Sequence, residues 1–170
     1  MKNMNSIVES VTKRVVARSK QTRSVYLSHL KDDFSQKPAR EDLDCSNLAH
    51  GFAACSKDDK DSLRLMEASN IGIVTAYNDM LSAHQPYSDY PDKIKEALRQ
   101  VGCTAQVAGG VPAMCDGITQ GRPGMDLSLL SRDIIAQSTA IALSHQMFDG
   151  VLALGICDKI VPGLLIGVLS

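Results

Sequence analysis

Residues 151–163 read VLALGICDKIVPG, a stretch that predicts a strand, a turn and a helix. Its first four residues form a short apolar run typical of a buried strand, and Pro162 favours the first turn of a helix. Cys157, Asp158 and Lys159 therefore lie on the connecting turn, where open α/β sheets bind their ligands. A thiolate suits iron or an iron–sulfur cluster, whereas a carboxylate suits a magnesium-type cation. Taken alone, however, the three residues favour a half-buried cysteine at a strand end beside two solvated charges.

The same alternation of strand and helix extends toward the N-terminus. Strands are predicted at residues 71–76, 103–108 and 151–155, and helices at 58–69, from Pro91 to just before Gly102, at 126–147 and from Pro162 onward. Strands alternating with helices favour a three-layer α/β/α fold with a mostly parallel sheet and right-handed crossovers. In the helix at 126–147, the predicted apolar face consists of Leu127, Leu130, Ile134, Ile141 and Leu143.

An N-terminal helical segment precedes this domain. Residues 1–35 have a roughly helical apolar stripe that runs from Ile7 to Phe34, with basic residues in between. Residues 35–44 are polar, contain Pro38 and read as a linker. We therefore assign residues 1–57 to an N-terminal helical segment and 58–170 to the first part of an α/β domain.

Composition excludes several classes of protein. The chain has 170 residues, 44% of them hydrophobic, and a formal net charge of −1, which gives no support for a role with nucleic acid or at a membrane surface. No apolar run approaches the roughly 18 residues that a membrane span needs. Five cysteines without a C-x-x-C pair, and no signal-peptide pattern, indicate a reducing cytoplasm.

Each predicted strand is followed by a loop that carries polar groups. Because parallel strands end at the same edge of a sheet, these loops are expected to converge and form a site. The glycine-rich loop at 109–124 matches neither a Walker motif nor a dinucleotide-binding motif, so a nucleotide site is not predicted. The candidate site residues are Asn78, Asp79 and His84 in the first loop, Cys115 and Asp116 in the second, and Cys157, Asp158 and Lys159 in the third.

Four stretches, in order, resemble the family of dihydroxy-acid, sugar-acid and 6-phosphogluconate dehydratases. They are residues 47–55 (NLAHGFAAC), 75–87 (TAYNDMLSAHQPY), 107–117 (VAGGVPAMCDG) and 157–163 (CDKIVPG). The resemblance covers nearly the whole chain, and the first three stretches are most similar to the 6-phosphogluconate branch.

The resemblance implies a role for each site residue. Cys157 would ligate an iron–sulfur cluster, of the [4Fe-4S] type found in the 6-phosphogluconate branch. Asp116 and Asp158 would bind Mg²⁺ or Mn²⁺. Lys159 would be the catalytic residue of this chain and would bind the same ion when carbamylated. Cys115 is either a further cluster ligand or a structural thiol. We assign substrate contacts to the first loop, through Asn78, Asp79 and His84.

The resemblance also implies an activity. A hydro-lyase of this family would convert a sugar-acid phosphate, 6-phosphogluconate, into its 2-keto-3-deoxy product, and the full-length chain would form a homodimer. Family members are several times longer, so we expect these residues to be an N-terminal portion that is inactive alone. The alternatives are a portion of a dihydroxy-acid or other sugar-acid dehydratase, or a non-catalytic α/β module.

Overall fold

The computed structural model of this chain describes residues 5–33 and 38–170. Two compact units are present, Met1–Gln36 and Lys37–Ser170. In the first unit, helix α1 spans Ser6–Asp33 and confirms the predicted N-terminal helix, although Phe34 lies outside the described residues. Within the described ranges, no helix is both long and apolar enough to cross a membrane. The predicted boundary between residues 57 and 58 stays a prediction.

The second unit alternates helices and strands along the chain. After a short 3-10 helix at Ala39–Asp42, its elements in order are α2 (Cys45–Phe52), α3 (Lys57–Arg64), β1 (Asn70–Thr75), a 3-10 helix (Gln85–Ser88), α4 (Tyr90–Arg99), β2 (Thr104–Gly110), α5 (Asp116–Thr119), α6 (Met125–Leu143), β3 (Gly150–Leu154) and α7 (Ile160–Leu169). Every predicted strand is present within two residues of its predicted ends. Helix α2 was not predicted, and the one-turn α5 lies inside the stretch predicted to be a glycine-rich loop.

The three strands form a parallel sheet in the order β2-β1-β3. The crossover from β1 to β2 and the crossover from β2 to β3 run in opposite directions across this sheet. Because such crossovers are right-handed, α4 and α6 cover opposite faces, which gives the predicted three-layer α/β/α architecture. Because the two crossovers run in opposite directions, the boundary between β1 and β3 is the topological switch point of the sheet. A crevice opens beyond the ends of adjacent strands at such a point.

Helices α6 and α7 pack closely because α7 presents glycine to its neighbour. A Cβ atom placed on Gly163 would lie 2.9 Å from the carbonyl oxygen of Arg132, and one on Gly167 would lie 2.5 Å from that of Ala136. The face of α6 that is buried in this contact therefore carries small or medium side chains. Those fully buried are Ser128, Ile135 and Thr139.

The predicted apolar face of α6 is wrong for this reason. Leu127, Leu130, Ile134 and Ile141 are all more than half exposed, and only Leu143 packs against the core. A prediction from hydrophobic periodicity takes the positions with the largest apolar side chains as the buried face of a helix. Here close approach to α7 selects the smaller ones instead. The start of α7 was also misplaced, since it begins at Ile160 and Pro162 sits inside its first turn.

A buried arginine connects the segment before α2 to the sheet. The Arg40 side chain is fully buried, and its Nη1 lies 2.9 Å from Asp149 Oδ2. Its Nε donates to the Leu63 carbonyl at 3.2 Å, and Nη2 donates to the carbonyl of Ala68. The Asp149 carboxylate also accepts from the backbone N–H of Asn70, at the first residue of β1. All charges and carbonyls in this network are therefore paired with one another.

We expect Arg40→Met to destabilise the protein by about 3–5 kcal/mol, because it removes the cation that pairs with the Asp149 carboxylate and the side-chain donor to two buried carbonyls. Urea unfolding measures the free energy. The control is Lys93→Met, which removes a cation whose pair with Asp89 is 2.6 Å long but mostly exposed. That change should cost under about 1 kcal/mol. Equal unfolding free energies for the two variants would contradict the argument.

Candidate active site

The candidate site lies beyond the carboxyl ends of the three strands, where their loops meet. The turn after β3 begins at Gly155, which packs so closely against α7 that a Cβ atom there would displace the Leu164 side chain. Two residues later, Cys157 has φ = +84°, a conformation that non-glycine residues rarely adopt. Such strain persists only where the surrounding structure holds it in place, and it is concentrated at functional sites.

Two thiols and an imidazole surround this turn. His84 is fully buried; its Nδ1 lies 2.7 Å from the carbonyl oxygen of Ala76, and its Nε2 lies 3.4 Å from Cys157 Sγ. Burial raises the pKa of the Cys157 thiol, and the neighbouring Cys115 thiol, its hydrogen-bond partner, raises this pKa further. The Cys115 and Cys157 thiols are therefore close enough to influence each other.

Two carboxylates and an amine form the adjacent part of the site. Lys159 Nζ bonds Asp116 Oδ2 and lies 3.3 Å from Asp158 Oδ2. The Asp116 hydrogen bond, followed by that to Asp158, raises the pKa of Lys159 above its usual value. Lys159 lowers the pKa of Asp116, and a hydrogen bond from Ser128 lowers it further. Both carboxylates also raise the pKa of Cys157, more weakly than burial and Cys115 do.

The polar residues of the first loop occupy separate positions. Asn78 Oδ1 accepts from the backbone N–H of Met80 at 2.8 Å, and its Nδ2 reaches the Ala113 carbonyl at 3.5 Å, so Asn78 joins the first loop to the second. Asp79 is exposed and accepts from the hydroxyl of Tyr77 at 2.7 Å. His84 contacts Cys157, whereas Asp79 bonds within the first loop and Asn78 bonds within this loop and to the second loop. Their assignment to substrate binding stays a prediction.

The types of side chain at the site suit both predicted groups, an iron–sulfur cluster and a divalent cation. Adjacent thiols suit iron, and two carboxylates around one amine suit a hard divalent cation. In the part of the chain that the structure describes, no three His, Cys, Asp or Glu side chains converge closely enough to hold a metal ion. A cation here would therefore need further oxygen ligands, from water, from substrate or from a modified Lys159. The roles of Cys115, Asp116, Cys157 and Asp158 as ligands stay predictions.

Sequence reasoning missed Ser128. This serine is fully buried on α6, and its hydroxyl donates to Asp116 Oδ1 at 2.6 Å, which orients the carboxylate toward Lys159. It lies 12 residues from Asp116. No local pattern marks it, because serine inside a helix is ordinarily a solvated residue. Its contact with Asp116 follows from the packing of α6 against α5, which joins elements that sequence patterns treat separately.

Comparison with known proteins agrees with this geometry. The chain is an α/β protein whose candidate thiols, carboxylates and lysine lie on loops beyond the carboxyl ends of parallel strands, where folds of this class bind ligands. The family model described as "Dihydroxy-acid/6-phosphogluconate dehydratase N-terminal" matches residues 68–170. The chain belongs to this dehydratase family, as its motifs predicted.

Phosphogluconate dehydratases match over more of the chain than the family model does. A phosphogluconate dehydratase of Pseudomonas aeruginosa is 62% identical over 164 residues, covering 96% of this chain, and one of Escherichia coli K12 is 58% identical over 98% of it. A dihydroxy-acid dehydratase of Methanoregula boonei is 40% identical over 60% of the chain. The chain spans only 27% and 28% of the length of the first two relatives and 18% of the third.

Proposed function

We propose that the complete protein is a hydro-lyase that removes water from 6-phosphogluconate to give 2-dehydro-3-deoxy-6-phosphogluconate. In this proposal the present chain supplies one part of the active site, and the enzyme acts in gluconate use through the Entner–Doudoroff pathway. The observation that carries the substrate assignment is the similarity to phosphogluconate dehydratases along almost the whole chain, against a lower and shorter match to a dihydroxy-acid dehydratase. The cluster of Cys157, Asp116, Asp158 and Lys159 supports the reaction class.

The proposal assigns the carboxylates and the amine to metal binding. Asp116 and Asp158 would each offer an oxygen to Mg²⁺ or Mn²⁺, and Lys159 would add a third after carbamylation. Without a metal, the Lys159 ammonium offsets one of the two negative charges, since it bonds one carboxylate and lies within 3.4 Å of the other. This contact holds the two negatively charged carboxylates close together at one edge of the sheet, which is the arrangement that a divalent cation requires.

The thiols are assigned to a [4Fe-4S] cluster, with Cys157 as a ligand and Cys115 as a second candidate. When bound, the cluster and the divalent cation would supply Lewis-acid catalysis, which favours loss of a hydroxide and of an acidic proton from a hydroxy acid. The residues of this chain would hold the two groups next to each other, because Cys157 and Asp158 are consecutive and Cys115 and Asp116 are consecutive. Two loops thus each contribute one sulfur and one carboxylate.

Ser128 should increase the affinity of the proposed cation site for Mg²⁺. In Ser128→Ala, the Asp116 carboxylate loses the buried hydroxyl that orients it, and outer contacts of this kind are worth about 10–100-fold in metal affinity. We expect the Mg²⁺ concentration for half-maximal activity of the complete enzyme to rise by about that factor. Ser138→Ala is the control, since its hydroxyl caps only the Ile134 carbonyl on the same helix. An unchanged Mg²⁺ dependence in Ser128→Ala would contradict the assignment.

An assay of the complete protein tests the function. The protein is purified without oxygen, reconstituted with iron, sulfide and Mg²⁺, and supplied separately with 6-phosphogluconate, an unphosphorylated sugar acid and a branched 2,3-dihydroxy acid. We expect 2-keto acid formation to be fastest from 6-phosphogluconate. A preference for either other acid would assign the protein to a different branch. A colourless protein that dehydrates none of them would favour a non-catalytic module.

Location and assembly belong to the same proposal. All five cysteines lie in the described part of the chain, and each is a free thiol. Free thiols and an oxidant-sensitive cluster both suit a reducing compartment, so we place the enzyme in the cytoplasm. We further propose that the complete protein is a homodimer, which sedimentation of the holoenzyme would test.

A further inference from the structure

His84 makes two contacts that together define its chemical form. The Ala76 carbonyl can only accept a hydrogen bond, so Nδ1, 2.7 Å away, must carry the proton. In the neutral ring, Nε2 is then the acceptor, and it faces Cys157 Sγ at 3.4 Å. The ring is fully buried and lies edge-on to Tyr87, with 6.1 Å between ring centroids. Both nitrogens are occupied by the protein, so this ring has no free atom to offer a substrate.

The two contacts connect different strands. Ala76 directly follows β1, whereas Cys157 lies on the turn after β3, and β1 and β3 are neighbours at the switch point. The ring therefore links the Cys157 side chain to the rigid end of the central strand and restrains the direction in which that side chain points. Cys157 needs such a restraint because its backbone has φ = +84°, a strained conformation for a residue other than glycine.

We propose that His84 is a positioning residue for Cys157: it holds the Cys157 thiol beside Cys115 through the acceptor Nε2 and thereby presents both sulfurs together. This role rests on the proposed function to the extent that the thiol pair receives a cluster. It differs from substrate binding, because the ring acts on a protein thiol. It also differs from a purely structural buried histidine, whose loss would alter stability without changing the relative placement of the two thiols.

A matched pair of variants separates these roles. In His84→Asn, the shorter amide can still donate to the Ala76 carbonyl but cannot reach Cys157 Sγ. In His84→Gln, the longer amide places a polar group near the position of Nε2. The experiment uses the complete protein after anaerobic removal of iron by a chelator. The probe is dibromobimane, which becomes fluorescent when it bridges two nearby thiols, and mass spectrometry identifies the bridged cysteines.

We expect wild type to form a bridge between Cys115 and Cys157, His84→Asn to form it several-fold more slowly, and His84→Gln to recover much of the rate. Urea unfolding of the same samples should show little difference between the two variants. Equal bridging rates in wild type and His84→Asn would overturn the proposal. A loss of bridging that merely tracks a loss of stability in both variants would overturn it too.

A second measurement needs no change at His84. The ¹⁵N resonances of the wild-type ring should show a protonated Nδ1, and Cys157→Ala should shift the Nε2 resonance by removing its partner. A protonated Nε2, or an unshifted resonance, would overturn the proposal even if the His84 variants fail to fold. Iron content after reconstitution then tests the proposed function separately. Slower bridging with full iron content in His84→Asn would retain the positioning role but count against Cys157 as a ligand.

Discussion

Cys157→Ser should deprive the complete, reconstituted enzyme of bound iron and of activity together. A serine hydroxyl is a harder and poorer ligand for iron than a thiolate, so the cluster loses an attachment point. The expected loss of activity is at least about a hundredfold, the upper range found when contacts around a metal are removed. Iron and sulfide analysis, visible absorption and the dehydration rate measure the effect on one preparation.

The structure makes this substitution a clean one. Serine is close in size to cysteine, and the half-buried Cys157 side chain faces His84, which can accept from a hydroxyl as from a thiol. The fold should therefore survive, and urea unfolding checks that it does. Cys103→Ser is the matched control, because Cys103 precedes β2 at the opposite end of the sheet and its sulfur makes one weak contact, 4.0 Å from the Val101 carbonyl. Full iron content in Cys157→Ser would refute the ligand assignment, and iron loss in Cys103→Ser would show that the effect is not specific.

The architecture could be predicted because its signals are local. Each strand is a short apolar run bounded by glycine or polar residues, and each is followed by a helix. Parallel topology then brings Asp116 and Asp158 to one edge of the sheet, and the structure shows both carboxylates around Lys159. That contact required no long-range information beyond the order of strands and helices.

Features that depend on tertiary packing could not be predicted in this way. The buried face of α6 is decided by Gly163 and Gly167 on another helix, so periodicity within α6 selected the wrong side chains. Arg40 lies in a segment that reads as a polar linker, yet it is fully buried because Asp149 and two carbonyls surround it. Burial of a charge depends on partners distant in sequence, which composition does not show.

The candidate site likewise has some features that the sequence predicts and others that depend on tertiary packing. Cys157 and Lys159 could be selected from their place between a strand and a helix. The left-handed backbone of Cys157 could not, because positive φ is expected at glycine or asparagine and not at cysteine. Burial of His84 was equally invisible, since its two partners lie 8 and 73 residues away. The residue types therefore predict the chemistry of the site. The fold determines the backbone conformation and the burial of each residue that takes part in it.

Lys159→Arg should abolish activity of the complete enzyme and remove its response to Mg²⁺. We hypothesise that the Lys159 amine adds carbon dioxide, forming an N–C bond and releasing one proton, so that the resulting carbamate supplies a third oxygen ligand. Magnesium prefers oxygen ligands, and Asp116 and Asp158 alone leave most of its six positions to water or substrate. A guanidinium cannot form this carbamate. It would instead remain paired with the two carboxylates and keep them from the cation.

The structure indicates why the modification should depend on the metal. Carbon dioxide reacts with a neutral amine, but contact with Asp116 raises the pKa of Lys159 and so favours the ammonium form. A divalent cation that takes over the carboxylates would remove this stabilisation of the ammonium and bind the carbamate at the same time. In the complete enzyme, ¹³C-labelled carbon dioxide should therefore give a carbamate resonance only with Mg²⁺ present. Lys95→Arg is the control, as Lys95 pairs only with the exposed Asp92 at 3.4 Å. Near-normal activity and Mg²⁺ dependence in Lys159→Arg would show that the site works through the positive charge of the lysine, and the carbamate would then have no role.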